Sequence, residues 1–323
     1  MSHTVFVTAP KLHPAGVAVL EQHGARILYL SQPDSAEEVE RTMAAEPVDA
    51  VISRTAPLSA AAIAACPSLK VISKHGVGVS NIDVAAATAR RVPVYVTPGA
   101  NAASVAEMAI GLMIAAARRI PLMDRALRSG QWRRLQDGRQ LNGATLGLLG
   151  YGQIGQCVAR AARALGMRVL AHDPSFPAPN PVPDVERVDS LDALLSRSDV
   201  LSLHVPLNAA TRGLLDSKRL AALPAGAILV NTARGEVVDE AALVEALRSG
   251  RLHSAGLDTM VIEPLPADSP LLTLENVVLT PHVGGSTPAA LAGMAEGAAR
   301  NVMGMLTGDA PGVERCVNPQ VFR

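Results

Sequence analysis

Short apolar runs alternate with amphipathic stretches along most of the chain. Val5–Thr8, Ile27–Leu30, Ala50–Ser53, Val71–Lys74 and Val92–Val96 are rich in branched side chains and predict strands buried on both faces. Between them, Ala15–His23, Glu37–Ala45, Ala60–Ala65 and Val84–Arg90 place apolar residues at helical spacing, and Ser35-x-x-Glu38 has the form of a capping box. Alternation of this kind builds a parallel sheet covered by helices. The stretch before Pro98 therefore predicts an α/β domain of its own.

Pro98-Gly99-Ala100-Asn101 breaks the rhythm, and Ala102 to Arg119 then reads as one long helix. It is apolar on more than one face, through Val105, Met108, Ala109, Leu112, Met113 and Ala116. A helix apolar nearly all round lies between bodies, so it predicts both the connection into a second domain and a subunit contact. Further strands are expected at Leu146–Leu149, Met167–His172, Val200–Val205, Ala227–Asn231, Ala255–Asp258 and Val277–Thr280, with helices at Leu191–Ser196, Ser217–Leu223 and Glu240–Ser249. Pro174–Pro183 reads as a proline-rich surface loop. A last helix, Pro288 to Leu306, is long enough to return to the first domain.

The second half is organised around Gly150-Tyr151-Gly152-Gln153-Ile154-Gly155. An apolar strand runs into these glycines, and a helical pattern with Ile154, Val158 and Leu165 on one face leaves them. That order is the context a dinucleotide fingerprint requires. Gly150 permits the tight turn, Gly152 lets backbone approach a pyrophosphate, Gly155 lets helix and strand pack closely, and the helix N-terminus supplies N–H groups for the anion. Asp173 follows the next strand about twenty residues on, where an acid binds the adenosine ribose hydroxyls. With no arginine directly after it, Asp173 favours NAD over NADP; standing before Pro174, it also serves a turn.

Composition narrows the classes. The chain has 323 residues, more than one usual domain, and 49% hydrophobic residues, enough for two cores. Lys plus Arg and Asp plus Glu are 29 each, which gives no electrostatic case for nucleic acid or an anionic membrane. Cys66, Cys157 and Cys316 are far apart with no CxxC pair, which fits a reducing compartment rather than a disulfide framework. No signal-peptide pattern opens the chain, and the longest apolar stretch, Val105–Ala117, is too short to span a bilayer and contains Glu107. A soluble, cytoplasmic protein is expected. No HExxH or clustered His/Asp set suggests a metal, and no GxSxG suggests a hydrolase.

Ligands of open parallel sheets bind beyond the carboxyl ends of strands, and unusual residues gather there. Arg54 and His75-Gly76-Val77-Gly78 follow two strands of the first half; Arg234, Asp258, Glu263 and His282 follow strands of the second. Singly, a His after Pro, an Arg before Gly or a Glu before Pro is a turn, a cap or a solvated loop. Together, beside a dinucleotide fingerprint, they are the parts of a hydride transfer to a 2-oxo acid. Arginine binds a carboxylate bidentately, and an imidazole paired with a carboxylate keeps one tautomer and donates a proton near neutral pH. His3, His13, His23, His172, His204 and His253 lack such company and are assigned structural roles; His204, near a strand end, is also placed to line a cofactor cleft. Trp132, in a polar stretch, fits a subunit contact or simple packing.

From about Ala50 to Thr287 the chain resembles the D-isomer-specific 2-hydroxyacid dehydrogenases, the group that contains D-3-phosphoglycerate dehydrogenase, glyoxylate/hydroxypyruvate reductases and D-lactate dehydrogenases. The resemblance rests on five motifs in order: Lys74 to Asp83, Thr97 to Asn101, Gly150 to Gly155, Asn231 to Asp239, and Pro281 to Thr287. It implies two Rossmann-like parallel-sheet domains of α/β class, with a dinucleotide-binding domain (99–285) inserted into a discontinuous substrate domain (1–98 and 286–323). It implies that Arg234 binds the substrate carboxylate and carbonyl, that His282 paired with Glu263 is the acid/base, and that the N–H groups of Val77 and Gly78 hold the carboxylate. For NAD it implies Gly150, Gly152, Gln153, Ile154 and Gly155 at the pyrophosphate, Asp173 at the ribose, Thr232, Ala233 and Arg234 nearby, Asp258 toward the nicotinamide, and His282, Gly284 and Gly285 bordering the cleft. Family members are usually homodimers.

Two departures stand out. Ser80 occupies a position where the family commonly has Asp, and Thr259-Met260-Val261-Ile262 replaces the frequent Val-Phe-Glu-x. Lys74 reads equally as positive charge for a second anionic group or as a solvated strand end. Formate dehydrogenase shares the fold but has Gln in place of the acidic partner of the histidine, against Glu263 here. The competing reading of another class is an NAD(H)-sensing corepressor or scaffold, against which the intact Arg234, Glu263 and His282 count.

Overall fold

The computed structural model describes residues 2–323. The chain divides into two compact units, one made of the segment up to Asn101 with Ser286–Arg323, the other of Ala102–Gly285.

Among the described residues, the first unit carries a five-stranded parallel sheet of β1 (Thr4–Val7), β2 (Arg26–Tyr29), β3 (Ala50–Ser53), β4 (Val71–Lys74) and β5 (Val94–Tyr95), in the order β2-β1-β3-β4-β5. β1 and β3 lie inside the sheet and are buried at every residue, whereas edge strand β2 is part exposed. Four helices connect them: α1 (Pro14–Gln22), α2 (Ala36–Ala45), α3 (Ala60–Ala65) and α4 (Val84–Ala89). Ser35 caps α2 by accepting the Glu38 N–H, yet Glu38 does not complete the box. Its carboxylate turns back to the N–H groups of Ser31 and Gln32 and the Ser31 hydroxyl, fixing the entering turn instead. β5 is shorter than the apolar run predicts. Its outer edge is closed by the C-terminal tail, where Val96 donates to Arg315 and Val317 to Val94, so the edge is not left open for another strand.

The second unit carries a seven-stranded parallel sheet of β6 (Thr145–Leu149), β7 (Arg168–His172), β8 (Val185–Arg187), β9 (Val200–Leu203), β10 (Ala227–Asn231), β11 (Leu252–Leu257) and β12 (Val277–Leu279). Its order is β12-β11-β10-β9-β6-β7-β8, so the winding reverses between β6 and β9. A crevice opens at such a switch point. The helices are α5 (Ala102–Ala117), α6 (Ile120–Arg128), α7 (Gln153–Ala164), α8 (Leu191–Ser196), α9 (Ser217–Ala222) and α10 (Glu240–Arg248). Leu146, Leu148, Val158 and Val230 are fully buried in this core, and each such side chain contributes about 1.5–3 kcal/mol.

Helix α5 opens the second unit at Ala102, where the connection into a second domain is predicted. Its buried residues Ala109, Leu112, Met113 and Ala116 belong to the second unit's own core, and the Ser254 hydroxyl donates to the Ala116 carbonyl at 3.0 Å. Helix α6 and strand β8 have no counterpart in the apolar pattern. The first starts abruptly because Arg119 turns the chain with φ +54° just before Pro121. The second is a three-residue edge strand with one buried side chain. Helix α11 (Pro288–Thr307), capped by Thr287, returns the chain to the first unit, where Ala295, Ala298, Ala299 and Val302 pack with Val5, Val7 and Leu20. Among the described residues no helix is long and apolar enough to cross a membrane.

Candidate active site

Strand β6 delivers the chain to the glycine loop at the switch point. Gly150 has φ +95°, and a Cβ there would lie 2.6 Å from the His204 carbonyl oxygen. A Cβ on Gly155 would lie 2.5 Å from the Gly150 carbonyl oxygen, so that glycine is required by packing. Gly152 is different: a Cβ would meet nothing within 4 Å, and its φ of −72° suits any residue. Its missing side chain leaves open space over the start of α7. No side chain caps that helix, and among the described residues the N–H groups of Gly152, Gln153, Ile154 and Gly155 have no protein acceptor. Backbone donors at an uncapped helix N-terminus form an anion cradle. Beside it, Asp173 accepts the Tyr151 N–H on Oδ2 and the Ser175 N–H on Oδ1, both at 2.7 Å.

The next three strands end on polar atoms that lack partners. Among the described residues, four buried side-chain atoms have no hydrogen bond, and three follow the carboxyl ends of β9, β10 and β11: His204 Nδ1, Thr232 Oγ1 and Thr259 Oγ1. An unsatisfied buried polar group costs about 1–3 kcal/mol, a cost that a polar ligand would relieve. The cradle, the carboxylate and these orphaned atoms fit a dinucleotide with its pyrophosphate, ribose and amide groups.

Beyond the ends of β10, β11 and β12 the second unit assembles Arg234, Glu263 and His282. Buried Asn231 ties its turn by donating to the Arg234 carbonyl at 2.8 Å and accepting the Ala233 N–H at 3.0 Å. A Cβ on Gly235 would fall 2.2 Å from the Met260 carbonyl oxygen, so this turn packs directly on the Glu263 loop. Burial lowers the pKa of Arg234, opposed by Glu263 and Glu236, and its Nη1 donates to the Ala233 carbonyl at 2.6 Å. Glu263 holds the Met260 N–H on one oxygen at 3.0 Å and His282 Nδ1 on the other at 2.7 Å. Burial pushes the Glu263 carboxyl upward, but the His282 and Met260 hydrogen bonds and the His282 and Arg234 charges outweigh it, and its pKa is lowered. An ionised carboxylate only accepts, so Nδ1 carries the proton and Nε2 is the free ring nitrogen.

His282 itself is held in the left-handed region, φ +52°, an uncommon conformation for a non-glycine residue. Asp258 stabilises it. Its carbonyl accepts the His282 N–H, and its carboxylate accepts the Thr280 hydroxyl at 2.6 Å, the Val283 N–H at 2.9 Å and the Gly284 N–H at 2.8 Å. Sequence reasoning sends Asp258 toward a nicotinamide; its side chain is spent on the loop that carries His282.

In the first unit, His75-Gly76-Val77-Gly78 leaves β4. Gly76 exchanges hydrogen bonds with the Thr97 side chain, and among the described residues the Val77 and Gly78 N–H groups have no protein acceptor. Lys74 is neither a free charge nor a solvated end: its ammonium binds the Arg54 carbonyl and Asn81 Oδ1, bracing the turn after β3. Burial and the nearby charges of Arg54 and Lys74 push His75 down to about 4.

Residues 110–284 match the family model described as the NAD binding domain of D-isomer specific 2-hydroxyacid dehydrogenases. The chain belongs to this family. It is 43% identical to the D-3-phosphoglycerate dehydrogenase of Mycobacterium tuberculosis over 294 residues, covering 90% of this chain and 54% of the relative. It therefore spans about half the length of that curated relative. Over 248 residues it is 46% identical to the hydroxypyruvate reductase of Thermotoga maritima, covering 75% of this chain and 80% of the relative. Among solved structures, the TT0316 protein of Thermus thermophilus aligns with a TM-score of 0.87 at 38% identity, covering 97% of this chain and 99% of that one. NAD is the cofactor of the matched 2-hydroxyacid dehydrogenase domain.

Within this dehydrogenase domain the structure brings Arg234, Glu263, His282 and Asp258 to one sheet edge, and Gly150 to Gly155 with Asp173 to the switch point. The remaining histidines settle locally: His13 caps α1, and His23 and His172 bond backbone carbonyls. In the sequence Thr259 is only a departure from the family pattern; its orphaned hydroxyl arises from the fold. The Met260 N–H that fixes Glu263 has no side-chain signal at all.

Proposed function

We propose that the chain is an NAD-dependent dehydrogenase that interconverts D-2-hydroxy acids and 2-oxo acids. The observation that carries this reading is the 2.7 Å bond between Glu263 and His282 Nδ1, which leaves Nε2 as a proton carrier at the sheet edge. Units 1–98 with 286–323 and 99–285 then serve as substrate and dinucleotide domains. Arg234 binds the substrate carboxylate and polarises the carbonyl. The Val77 and Gly78 N–H groups are donors for the same carboxylate. Gly150 to Gly155 seat the pyrophosphate, Asp173 the ribose, and Thr232, Ala233 and Gly285 border the cofactor.

When bound, NADH would supply the hydride for the C2 carbonyl carbon. His282 Nε2–H gives its proton to the carbonyl oxygen, and the product is the 2-hydroxy acid. Glu263 stays ionised throughout and stabilises the imidazolium before transfer. In the oxidative direction His282 takes the hydroxyl proton back.

The test is NADH oxidation with glyoxylate, hydroxypyruvate, pyruvate, phosphohydroxypyruvate and sulfopyruvate, with His282→Ala alongside. Turnover abolished by that substitution is the expected result and ranks the acids. Tight NADH binding with no turnover on any of them would overturn the reading in favour of an NAD(H)-sensing protein.

A further inference from the structure

The first variable position of the glycine motif holds Tyr151, and its contacts converge on one neighbouring loop. Its N–H donates to Asp173 Oδ2 at 2.7 Å. Its ring stacks on Phe176, centroids 4.7 Å apart and planes 15° apart. Its hydroxyl donates to Asn180 Oδ1 at 2.9 Å. Asp173, Phe176 and Asn180 all belong to the connection between β7 and β8. Asn180 passes the restraint along, accepting the Val182 N–H at 3.1 Å and donating to the Val185 carbonyl at 3.0 Å. The Arg187 guanidinium lies 5.9 Å from the Phe176 ring centre. Although it stands in a glycine loop, Tyr151 is 1% exposed. Burial raises the pKa of its phenol against the opposing charge of Arg160, so the hydroxyl remains a donor.

We infer that Tyr151 is a positioning residue for Asp173 and thereby sets the choice of dinucleotide: by clamping this loop it holds the carboxylate where it accepts an unmodified ribose diol and repels a 2′-phosphate. The inference rests on the proposed seat of Asp173 at the ribose. One lone pair on each Asp173 oxygen is taken by backbone, and the others are free for the two ribose hydroxyls. A 2′-phosphate faces the smaller of two penalties, the repulsion from a fixed carboxylate or the cost of moving that carboxylate aside. The stacked ring and the Asn180 hydrogen bond raise the second, so the full repulsion is expressed.

The experiment measures dissociation constants of NADH and NADPH by nucleotide fluorescence titration, without turnover, on the full chain. The proteins are wild type, Tyr151→Phe, Phe176→Leu, Asp173→Ala and the Tyr151→Phe/Asp173→Ala double variant. Loss of one hydrogen bond in Tyr151→Phe is expected to weaken NADH about three- to tenfold and NADPH less, so the preference for NADH shrinks. Phe176→Leu, which keeps apolar volume but loses the stacking face, is expected to shift the preference in the same direction, and it preserves the test if Tyr151→Phe does not fold. In the Asp173→Ala background, Tyr151→Phe is expected to leave the preference unchanged, because it acts through the carboxylate. Equal weakening of both nucleotides, or a shift that persists without Asp173, would overturn the inference and reduce Tyr151 to packing. An unchanged preference in Asp173→Ala itself would instead remove Asp173 from the ribose, a separate failure that overturns the inference at its root.

Discussion

The backbone N–H of His282 donates to the carbonyl oxygen of Asp258 at 2.8 Å, while the carboxylate of the same aspartate accepts the two N–H groups that follow, from Val283 and Gly284. One residue thus grips both sides of a histidine held at φ +52°. A left-handed non-glycine backbone persists only where its surroundings over-determine it. His282 is therefore fixed from behind by Asp258 and from the side by Glu263.

Asp258→Asn retains shape but replaces one accepting oxygen with an amide NH2 that faces a backbone N–H, of Val283 or of Gly284. The loop carrying His282 is expected to shift, and a misplacement on the order of 1 Å can cost about a hundredfold in rate. Steady-state turnover should fall by about that factor, with the KM for NADH much less affected. A variant that keeps its turnover while losing NADH affinity would return Asp258 to the role of a nucleotide contact.

Glu263→Gln removes the negative charge and keeps one accepting oxygen where the carboxylate uses two, so if that oxygen stays on His282 Nδ1 the new NH2 faces the Met260 N–H. The imidazolium loses its stabilising charge, and the tether to the Met260 N–H is lost with it. We expect kcat/KM for 2-oxo acid reduction to drop about ten- to a hundredfold, below the full worth of a general acid, with NADH binding by fluorescence unchanged. Undiminished kcat/KM would show that neither the charge of Glu263 nor its tether to Met260 matters to turnover.

The glycine motif separates into residues with different jobs. Gly152→Ala adds a methyl group into open space at a permitted φ, so thermal stability should hold while NADH affinity falls. Gly155→Ala drives a methyl group to 2.5 Å from the Gly150 carbonyl, so it should unfold at lower temperature before any binding is measured. Calorimetry of the two apo-proteins distinguishes them. Equal losses of stability would contradict the assignment of Gly152 to the cofactor cradle.

What was legible in the sequence follows from what period and punctuation encode. Buried strands such as β3, β4 and β10 are continuous apolar runs, and their ends agree with the apolar pattern. The glycine spacing with Asp173 beyond it locates the switch point without coordinates. For helix α5, apolarity on every face states that a helix is buried, not against what, so its packing into the second unit's core is visible only in the fold. Strand β8 has one inward side chain and no period to detect. At the site, Arg234, Glu263 and His282 are readable as residue types at strand ends. The grip of Asp258 on the His282 loop, the brace of Lys74 and the Tyr151 stack depend on backbone groups brought together by folding, and these leave no mark in a linear pattern.

The buried histidines give the protein an acid sensitivity of definite sign. His75 and His204 are each pushed down to about 4, His75 by burial with help from Arg54 and Lys74, His204 by burial alone. Both are neutral in the folded state where the histidines of the unfolded chain, near their ordinary 6.5, are already taking up protons. The unfolded state therefore binds more protons in that window, and stability rises with pH through it. Urea unfolding should give a constant free energy above about pH 7. Below the unfolded histidine value it should fall, by up to about 1.4 kcal/mol per pH unit for each histidine, and level off toward the folded value. Most of that window lies above the ordinary carboxylate range, so Glu263, whose lowered pKa adds its own loss at more acidic pH, does not mask it. His75→Gln should remove part of the slope between pH 6 and pH 5, the rest coming from His204 and from His253, whose pKa burial also lowers. A wild-type free energy that stays flat down to pH 5 would mean that these rings accept protons in the folded protein at no cost, against the burial that encloses them.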